Sequence, residues 1–256
     1  MNLENRVVLV TGGSRGIGRA CCMAFAEKGC HVAVNFNKSK DKATQLVKAI
    51  QRMGRGAIAC KADVSVSSQV KKMIDQVHKQ FGKIDILVSN AGMYYDEGRK
   101  LVDMSDAQWD RTMAVNLRST FLCCRAVAKE MIARREGKII IIGSCAGIAG
   151  QWTVGYCASK GGQQSFAMAL TRELMPFNVH VNLVAPGGAI DTDMHAGWLP
   201  GAKKQWDPKK LPSGRYPLES GIGSPHDIAH AVIFVAENDH VNGEILKVSG
   251  GTCICP

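Results

Sequence analysis

Short runs of β-branched and aliphatic residues recur along the 256-residue chain, and segments with helical periodicity lie between them. The runs are Val7 to Val10, Val32 to Val34, Ala57 to Cys60, Ile84 to Val88, Lys138 to Ile142, Val179 to Val184 and Ile245 to Val248. Strands alternating with helices predict an α/β fold, a doubly wound and mainly parallel sheet with helices on both faces. The unbroken apolar stretch Ile139 to Ile142 suits a strand buried on both sides. No repeat, low-complexity tract or linker interrupts the pattern, so residues 1–256 read as one domain. In open sheets of this kind ligands lie at the carboxyl ends of the strands, near the point where strand order reverses. The rhythm breaks once, at 195–220, where Trp198, Trp206, three prolines beyond Pro200 and several lysines show little periodicity. That stretch is expected to be a lid over substrate, with a plain surface loop as the alternative.

Composition narrows the class. Hydrophobic residues make up 46% and charged residues 21%, and no apolar run reaches the roughly 20 residues needed to cross a bilayer. The start, Met-Asn-Leu-Glu-Asn-Arg followed by Val-Val-Leu-Val, reads as a first strand rather than a secretory leader, so a soluble, cytoplasmic protein is expected. The ten cysteines are read as free thiols, because a chain of this length has a full core and does not need staples. No metal site is expected: Cys253-x-Cys255 has no further ligand cluster nearby, and His226 and His230 follow Ser224-Pro225, an ordinary helix start. The formal net charge of +10 favours an anionic partner. Phosphorylated cofactor and acidic carrier protein fit better than nucleic acid, since no basic run is interleaved with aromatics.

Candidate chemistry begins at the glycine turn Thr11-Gly-Gly-Ser-Arg-Gly-Ile-Gly18. Gly12, Gly16 and Gly18 follow a buried strand and precede the helical pattern Arg19 to Lys28, with Ser14, Arg15 and Ile17 between them. Glycines at such a place let a pyrophosphate approach the amides of a helix N-terminus. Sites that take NAD usually end the second strand with Asp or Glu, whose carboxylate binds the ribose 2′-hydroxyl and repels a 2′-phosphate. Here that position is read as Asn35, and Arg15, Asn37, Lys38 and Ser39 make the surroundings cationic and rich in donors, so NADP(H) is expected.

Further along, Tyr156 and Lys160 stand four residues apart in Tyr-Cys-Ala-Ser-Lys. On a helix that spacing puts phenol and ammonium on one face, where a buried Lys160 is expected to lower the pKa of Tyr156 and make it a proton donor. On an isolated helix the same pair would more often be a solvated face; the glycine turn gives it meaning.

Together these motifs resemble those of the short-chain dehydrogenase/reductase family along almost the whole chain. The resemblance rests on the glycine turn, Asn90-Ala-Gly92 after the fourth strand, Asn116 in a helix, Ser144 after the fifth strand, Tyr156-x-x-x-Lys160, and Pro186-Gly187 after the sixth. It implies a Rossmann-like sheet of seven strands and a homotetramer assembled through the helices around Asn116 and Tyr156. It also implies a catalytic tetrad: Tyr156 as the acid that protonates a carbonyl oxygen, Ser144 as the donor to that same oxygen, Lys160 on the nicotinamide ribose, and Asn116 supporting a relay water. By the same resemblance Asp63 and Val64 meet adenine, Asn90, Ala91 and Gly92 line the adenosine side, Pro186 and Gly187 flank the cofactor, and Ile190 and Thr192 meet the carboxamide.

Within the family the chain looks most like the 3-oxoacyl-[acyl-carrier-protein] reductases, through Gly137-Lys-Ile-Ile, Val179-x-Val-Asn182 and Thr192-Asp-Met194. The expected reaction is therefore reduction of a carbonyl to a secondary alcohol, on a 3-oxoacyl thioester. Phe177 stands where those reductases carry a carrier-docking arginine, while Arg135 keeps a second basic position. Gln151, Trp152 and Trp198, with Met93 and Tyr94, suggest an apolar substrate pocket. The alternatives are a reductase or dehydrogenase of small ketones, sugars or polyols, and a non-catalytic NADP(H)-binding scaffold.

Overall fold

A computed structural model describes residues 1–94, 100–187 and 223–253. The expected substrate lid at 195–220, and with it Ile190, Thr192 and Trp198, lies outside the described residues.

The seven apolar runs form seven strands of one parallel sheet: β1 (Val7–Val10), β2 (His31–Phe36), β3 (Ala57–Lys61), β4 (Ile86–Ser89), β5 (Gly137–Ile142), β6 (Val179–Pro186) and β7 (Ile245–Val248). Their order is β3-β2-β1-β4-β5-β6-β7, so the chain builds outward from β1 in one direction and then restarts beside it with β4. The crevice between the ends of β1 and β4 is the switch point of such a sheet.

The two-residue period of the strands divides the core. Val8, Val10, Val32, Val34, Ile86, Val88, Ile140 and Ile142 face one layer, made by α1 (Gly16–Glu27), α2 (Lys40–Arg52) and a later helix, Pro225–Glu237. Their neighbours Val7, Leu9, Ala33, Leu87, Ile139, Ile141, Val181 and Leu183 face α3 (Ser67–Phe81) and two long helices, Ser119–Arg134 and Val154–Leu174. Both faces are covered, which is why Ile139 to Ile142 run apolar without interruption, and every residue of β5, Lys138 included, is buried.

Several strand ends lie one or two residues from where the sequence reading put them, and two of these shifts have a plain cause or consequence. The fourth strand starts at Ile86, two residues late, because the buried Asp85 turns a carboxylate oxygen onto the Val7 amide at 2.9 Å and sits among Arg6, Lys83 and Arg134. The second strand runs on to Phe36, so Asn35 lies within it rather than at its end.

Between β4 and β5 the chain forms α4 (Asp106–Met113), started by a capping box of Ser105 and Gln108, then a π-turn over Ala114–Arg118, then α5 (Ser119–Arg134). After β5 come a short α6 (Ala146–Ala149) and the 21-residue α7 (Val154–Leu174). The last helix, α8 (Pro225–Glu237), begins as expected with Pro225 in its first turn, and Asp227 accepts the Ser224 amide at 2.6 Å. No described helix is long and apolar enough to cross a membrane.

Candidate active site

At the carboxyl ends of the central strands a cleft of about 610 Å³ runs from the end of β2, past the glycine turn, to Ser144 and Tyr156. Its floor is backbone. The turn after β1 delivers the N-terminus of α1, whose N-cap residue Arg15 makes no side-chain cap, so among the described residues the first amides of the helix are not capped by it. Two glycines make this geometry available. Gly12 has φ +61°, and a Cβ on Gly18 would lie 2.4 Å from the Gly12 carbonyl oxygen. An uncapped helix start with room beside it is what a pyrophosphate requires, so the residues present fit a dinucleotide.

Neighbouring side chains hold the turn in place. Asn35 is buried; its Oδ1 accepts the Gly12 amide at 3.0 Å, and its Nδ2 donates to the carbonyls of Cys60 and Ala62, both at 3.2 Å. Asn35 thus ties β1, β2 and β3 together, and the residues that lead out of β2 into the cleft are Phe36, Asn37, Lys38 and Ser39. None of them carries a carboxylate, and Asn37, Lys38 and Arg15 are exposed. From the other side Asn90 donates through Nδ2 to the Thr11 carbonyl at 2.8 Å, while Thr11 Oγ1 accepts the amides of Asn90 and Ala91 at 2.9 Å each. Ser14, Gly16, Ile17, Val64, Ala91 and Gly92 complete this half of the wall.

Asp63 lines the cleft as well. Burial by itself would raise its carboxyl, but hydrogen bonds from Ser65 and Arg111 outweigh that and hold it below the usual range. Arg111 itself, with Phe36, Ala62, Val115, Ile142 and Gly143, belongs to the lining without having been anticipated. Nothing local marks Arg111; only the approach of α4 to the end of β3 brings it there.

The catalytic candidates converge at the other half. Asn116 sits in the π-turn, fully buried; its Oδ1 accepts the Met93 amide at 2.8 Å and its Nδ2 donates to the Met93 carbonyl at 3.0 Å and to Ser159 Oγ at 2.9 Å. The Asn116 carbonyl accepts from Gln163 Nε2 at 2.9 Å and from Thr120 Oγ1 at 3.0 Å. Gln163 escaped the sequence reading, although a glutamine three residues after Lys160 on a helix points to the same buried side. Asn116 lies behind the cleft wall and fixes the backbone that follows β4.

Ser144 Oγ accepts the Ala146 amide at 3.1 Å, and Ser144 lies close enough to the Tyr156 phenol to favour its ionised form. Lys160 Nζ donates to the Ile142 carbonyl at 3.0 Å and stands 5.8 Å from the centre of the Tyr156 ring. Burial pushes the Lys160 ammonium down to about 8. The expected lowering of Tyr156 is not found: burial pushes its phenol up to about 12, the nearby Ser144 opposes this, and the neighbouring Cys157 and Tyr94 add to it. A desolvated phenol keeps its proton, which suits an acid better than a base.

Pro186 and Gly187 close the cleft beside β6. Trp152 lines it, in contact with Tyr94 and Tyr156, whereas Gln151 is exposed and outside the lining.

A profile of the short chain dehydrogenase family matches residues 6–202. The chain belongs to the short-chain dehydrogenase family. Among curated relatives of this short-chain dehydrogenase, (2S)-[(R)-hydroxy(phenyl)methyl]succinyl-CoA dehydrogenase subunit BbsD of Thauera aromatica is 37% identical, over 98% of both chains. The 3-oxoacyl-[acyl-carrier-protein] reductase FabG of Staphylococcus epidermidis is 36% identical over 96% of this chain and 98% of its own. Among solved structures, a short chain dehydrogenase from Burkholderia cenocepacia in complex with NADP is 34% identical, with a TM-score of 0.85 over 98% of this chain and 99% of that one. A 3-oxoacyl-[acyl-carrier protein] reductase from Brucella melitensis with bound NAD is 28% identical, with a TM-score of 0.85 over 99% and 93%. The Rossmann-like sheet expected from the sequence is therefore the family's fold.

Proposed function

We propose that this short-chain dehydrogenase uses NADPH to reduce a 3-oxoacyl thioester to the secondary alcohol. The observation that carries the reading is that the Ser144 and Tyr156 hydroxyls and the Lys160 ammonium line one cleft with the glycine turn at the start of α1. NADPH, when bound, supplies the hydride that reaches the carbonyl carbon. Everything else falls to the protein. The Ala146 amide occupies a lone pair of Ser144 Oγ, which leaves the Ser144 hydrogen to hold the substrate oxygen. Tyr156 gives its proton to that same oxygen, and the Lys160 ammonium stabilises the phenolate that remains. Asn116 acts as a positioning residue through Met93 and Ser159.

The coenzyme preference follows from the exit of β2. The row Asn35 to Ser39 contains no carboxylate, so nothing there repels a 2′-phosphate, and Arg15 and Lys38 line the same stretch of the cleft. The Burkholderia relative binds NADP and the Brucella one NAD, which makes this local difference the quantity to measure.

The thioester is supported by the two curated relatives, whose names describe a CoA thioester and a carrier-protein thioester. Coenzyme A is the better donor here. Arg135, the remaining candidate for carrier docking, precedes β5 while Ser144 follows it, and a strand of that length separates them by about 20 Å. The Arg135 guanidinium also donates to the Pro176 carbonyl at 3.0 Å. Self-association belongs to the same proposal: Phe121 on α5 and Met168 on α7 are 40% and 46% exposed, on the two helices through which assembly is expected.

The test is NADPH absorbance with acetoacetyl-CoA, repeated with NADH and with the Arg15→Ala/Lys38→Ala variant. The expected result is turnover with NADPH and a rise of about tenfold in KM for NADPH alone in the variant, the loss of about 1.4 kcal/mol of phosphate binding. Wild-type preference for NADH refutes the coenzyme assignment, and reduction of simple ketones without thioester turnover moves the protein to the small-ketone reductases.

A further inference from the structure

Beside Ser144, three rings form one corner of the cleft among the described residues. Tyr94 meets Tyr156 edge to face at 5.2 Å and 81°, and meets Trp152 at 5.6 Å and 78°. Trp152 closes the triangle at 6.2 Å from Tyr156, tilted by 57°. The three come from separate segments: the chain after β4, the link between α6 and α7, and α7 itself. All three line the cleft. The corner is anchored from behind, because Asn116 holds the Met93 amide and carbonyl immediately before Tyr94.

A carbonyl whose oxygen sits between Ser144 and Tyr156 has one of its two substituents beside this corner. Aromatic rings at edge-to-face distances reward a flat π-system through their quadrupoles, beyond the area it buries, whereas a saturated chain gains area alone. Met93, Tyr94 and Trp152 bring no ionised side chain to recognise a charged substituent, and no carboxylate or amide to bind the hydroxyls of a sugar or polyol.

We infer that Tyr94 and Trp152 are specificity-determining residues that select a carbonyl bearing an aryl group, so that the preferred substrate is a 3-aryl-3-oxoacyl thioester. The inference rests on the thioester reading above and adds the group on the far side of the carbonyl. The reaction stays balanced: the ketone takes a hydride at carbon and the Tyr156 proton at oxygen, NADPH becomes NADP⁺, and the phenolate regains its proton from solvent.

The experiment compares kcat/KM with NADPH for benzoylacetyl-CoA against 3-oxohexanoyl-CoA, and for ethyl benzoylacetate against ethyl 3-oxohexanoate, in the wild type, Trp152→Leu, Tyr94→Leu and Trp152→Phe. The aryl member of each pair is expected to lead by about tenfold, the sum of one or two aromatic contacts. Trp152→Leu and Tyr94→Leu bring each ratio toward unity, while Trp152→Phe, which keeps a ring, retains most of it. The ratio is internal to each variant, so a general loss of active protein does not move it. Parity or an alkyl preference in wild type overturns the inference and leaves the thioester reading standing. Reduction of the esters but not the thioesters refutes the thioester reading, and the ester ratio then decides the aryl inference alone. Turnover of none of the four overturns both.

Discussion

The two ends of the cleft are built from different materials. At the cofactor end the surface facing the ligand is largely backbone, shaped by Gly12 and Gly18 and pinned by the buried amides of Asn35 and Asn90. At the substrate end it is side chain: two hydroxyls, an ammonium and three rings. Backbone shaped by glycine tolerates no added atom and recognises what all dinucleotides share. Side chains are exchangeable, and an exchange there changes the substrate without disturbing the cradle. Binding and turnover should therefore separate cleanly under mutation.

The largest separation is expected from Tyr156→Phe. Removing one oxygen takes away the proposed acid while leaving a ring that packs against Tyr94, Trp152 and the Lys160 ammonium. Turnover falls by about 10²–10⁴-fold, the range for loss of a positioned acid. NADPH affinity, read by fluorescence titration, stays within a factor of about three. Near wild-type turnover in this variant removes Tyr156 from the acid's role.

Gly18→Ala strikes the opposite end. Its new methyl would lie 2.4 Å from the Gly12 carbonyl oxygen and 2.5 Å from Asn90 Nδ2, both part of the tight bracket around the turn. Overpacking of this kind costs about 1–3 kcal/mol, visible as a lowered melting temperature, and weakens NADPH binding with it. If binding and stability are both unchanged, the cradle is looser than the contacts indicate.

The contrast between the ends also explains how far the sequence could be read. The sheet was legible because a strand buried on both faces is apolar at every position, as Ile139 to Ile142 shows, and because both residue sets along β1 found a core. The glycine turn was legible because few other uses place glycines at that spacing after a first strand. Asn35 shows where such reading stops. Its position was close to right, but the direction of its side chain is set by carbonyls on and just after β3, 25 and 27 residues away, and no local pattern records that. Arg111 was missed for the same reason, and Gln163 because a buried polar residue looks like any other helical glutamine until the carbonyl it serves is known. The ionisation of Tyr156 failed on magnitude: spacing predicted proximity to Lys160, whereas burial of both groups dominates.

That ionic balance supplies the smallest and most specific expectation. Lys160, pushed down to about 8, is charged at neutral pH and loses its proton as pH rises through that value, while Tyr156, pushed up to about 12, keeps its own. The reductive rate at saturating NADPH should then be level from pH 6 to 7, about half-maximal at pH 8, and lower beyond it as the ammonium that stabilises the phenolate disappears. Stability runs the other way. Between about 8 and the ordinary lysine value the unfolded chain holds more protons at this position than the folded one, so the contribution of Lys160 to stability rises with pH in that window. Lys160→Met isolates the effect: the variant, relieved of a buried charge, should melt higher than wild type at pH 7, with the gap narrowing toward pH 10 as wild-type Lys160 becomes neutral. A reductive rate that stays level through pH 8, together with a melting difference that does not narrow, would show that the Lys160 ammonium is better solvated than its place beside the Ile142 carbonyl implies.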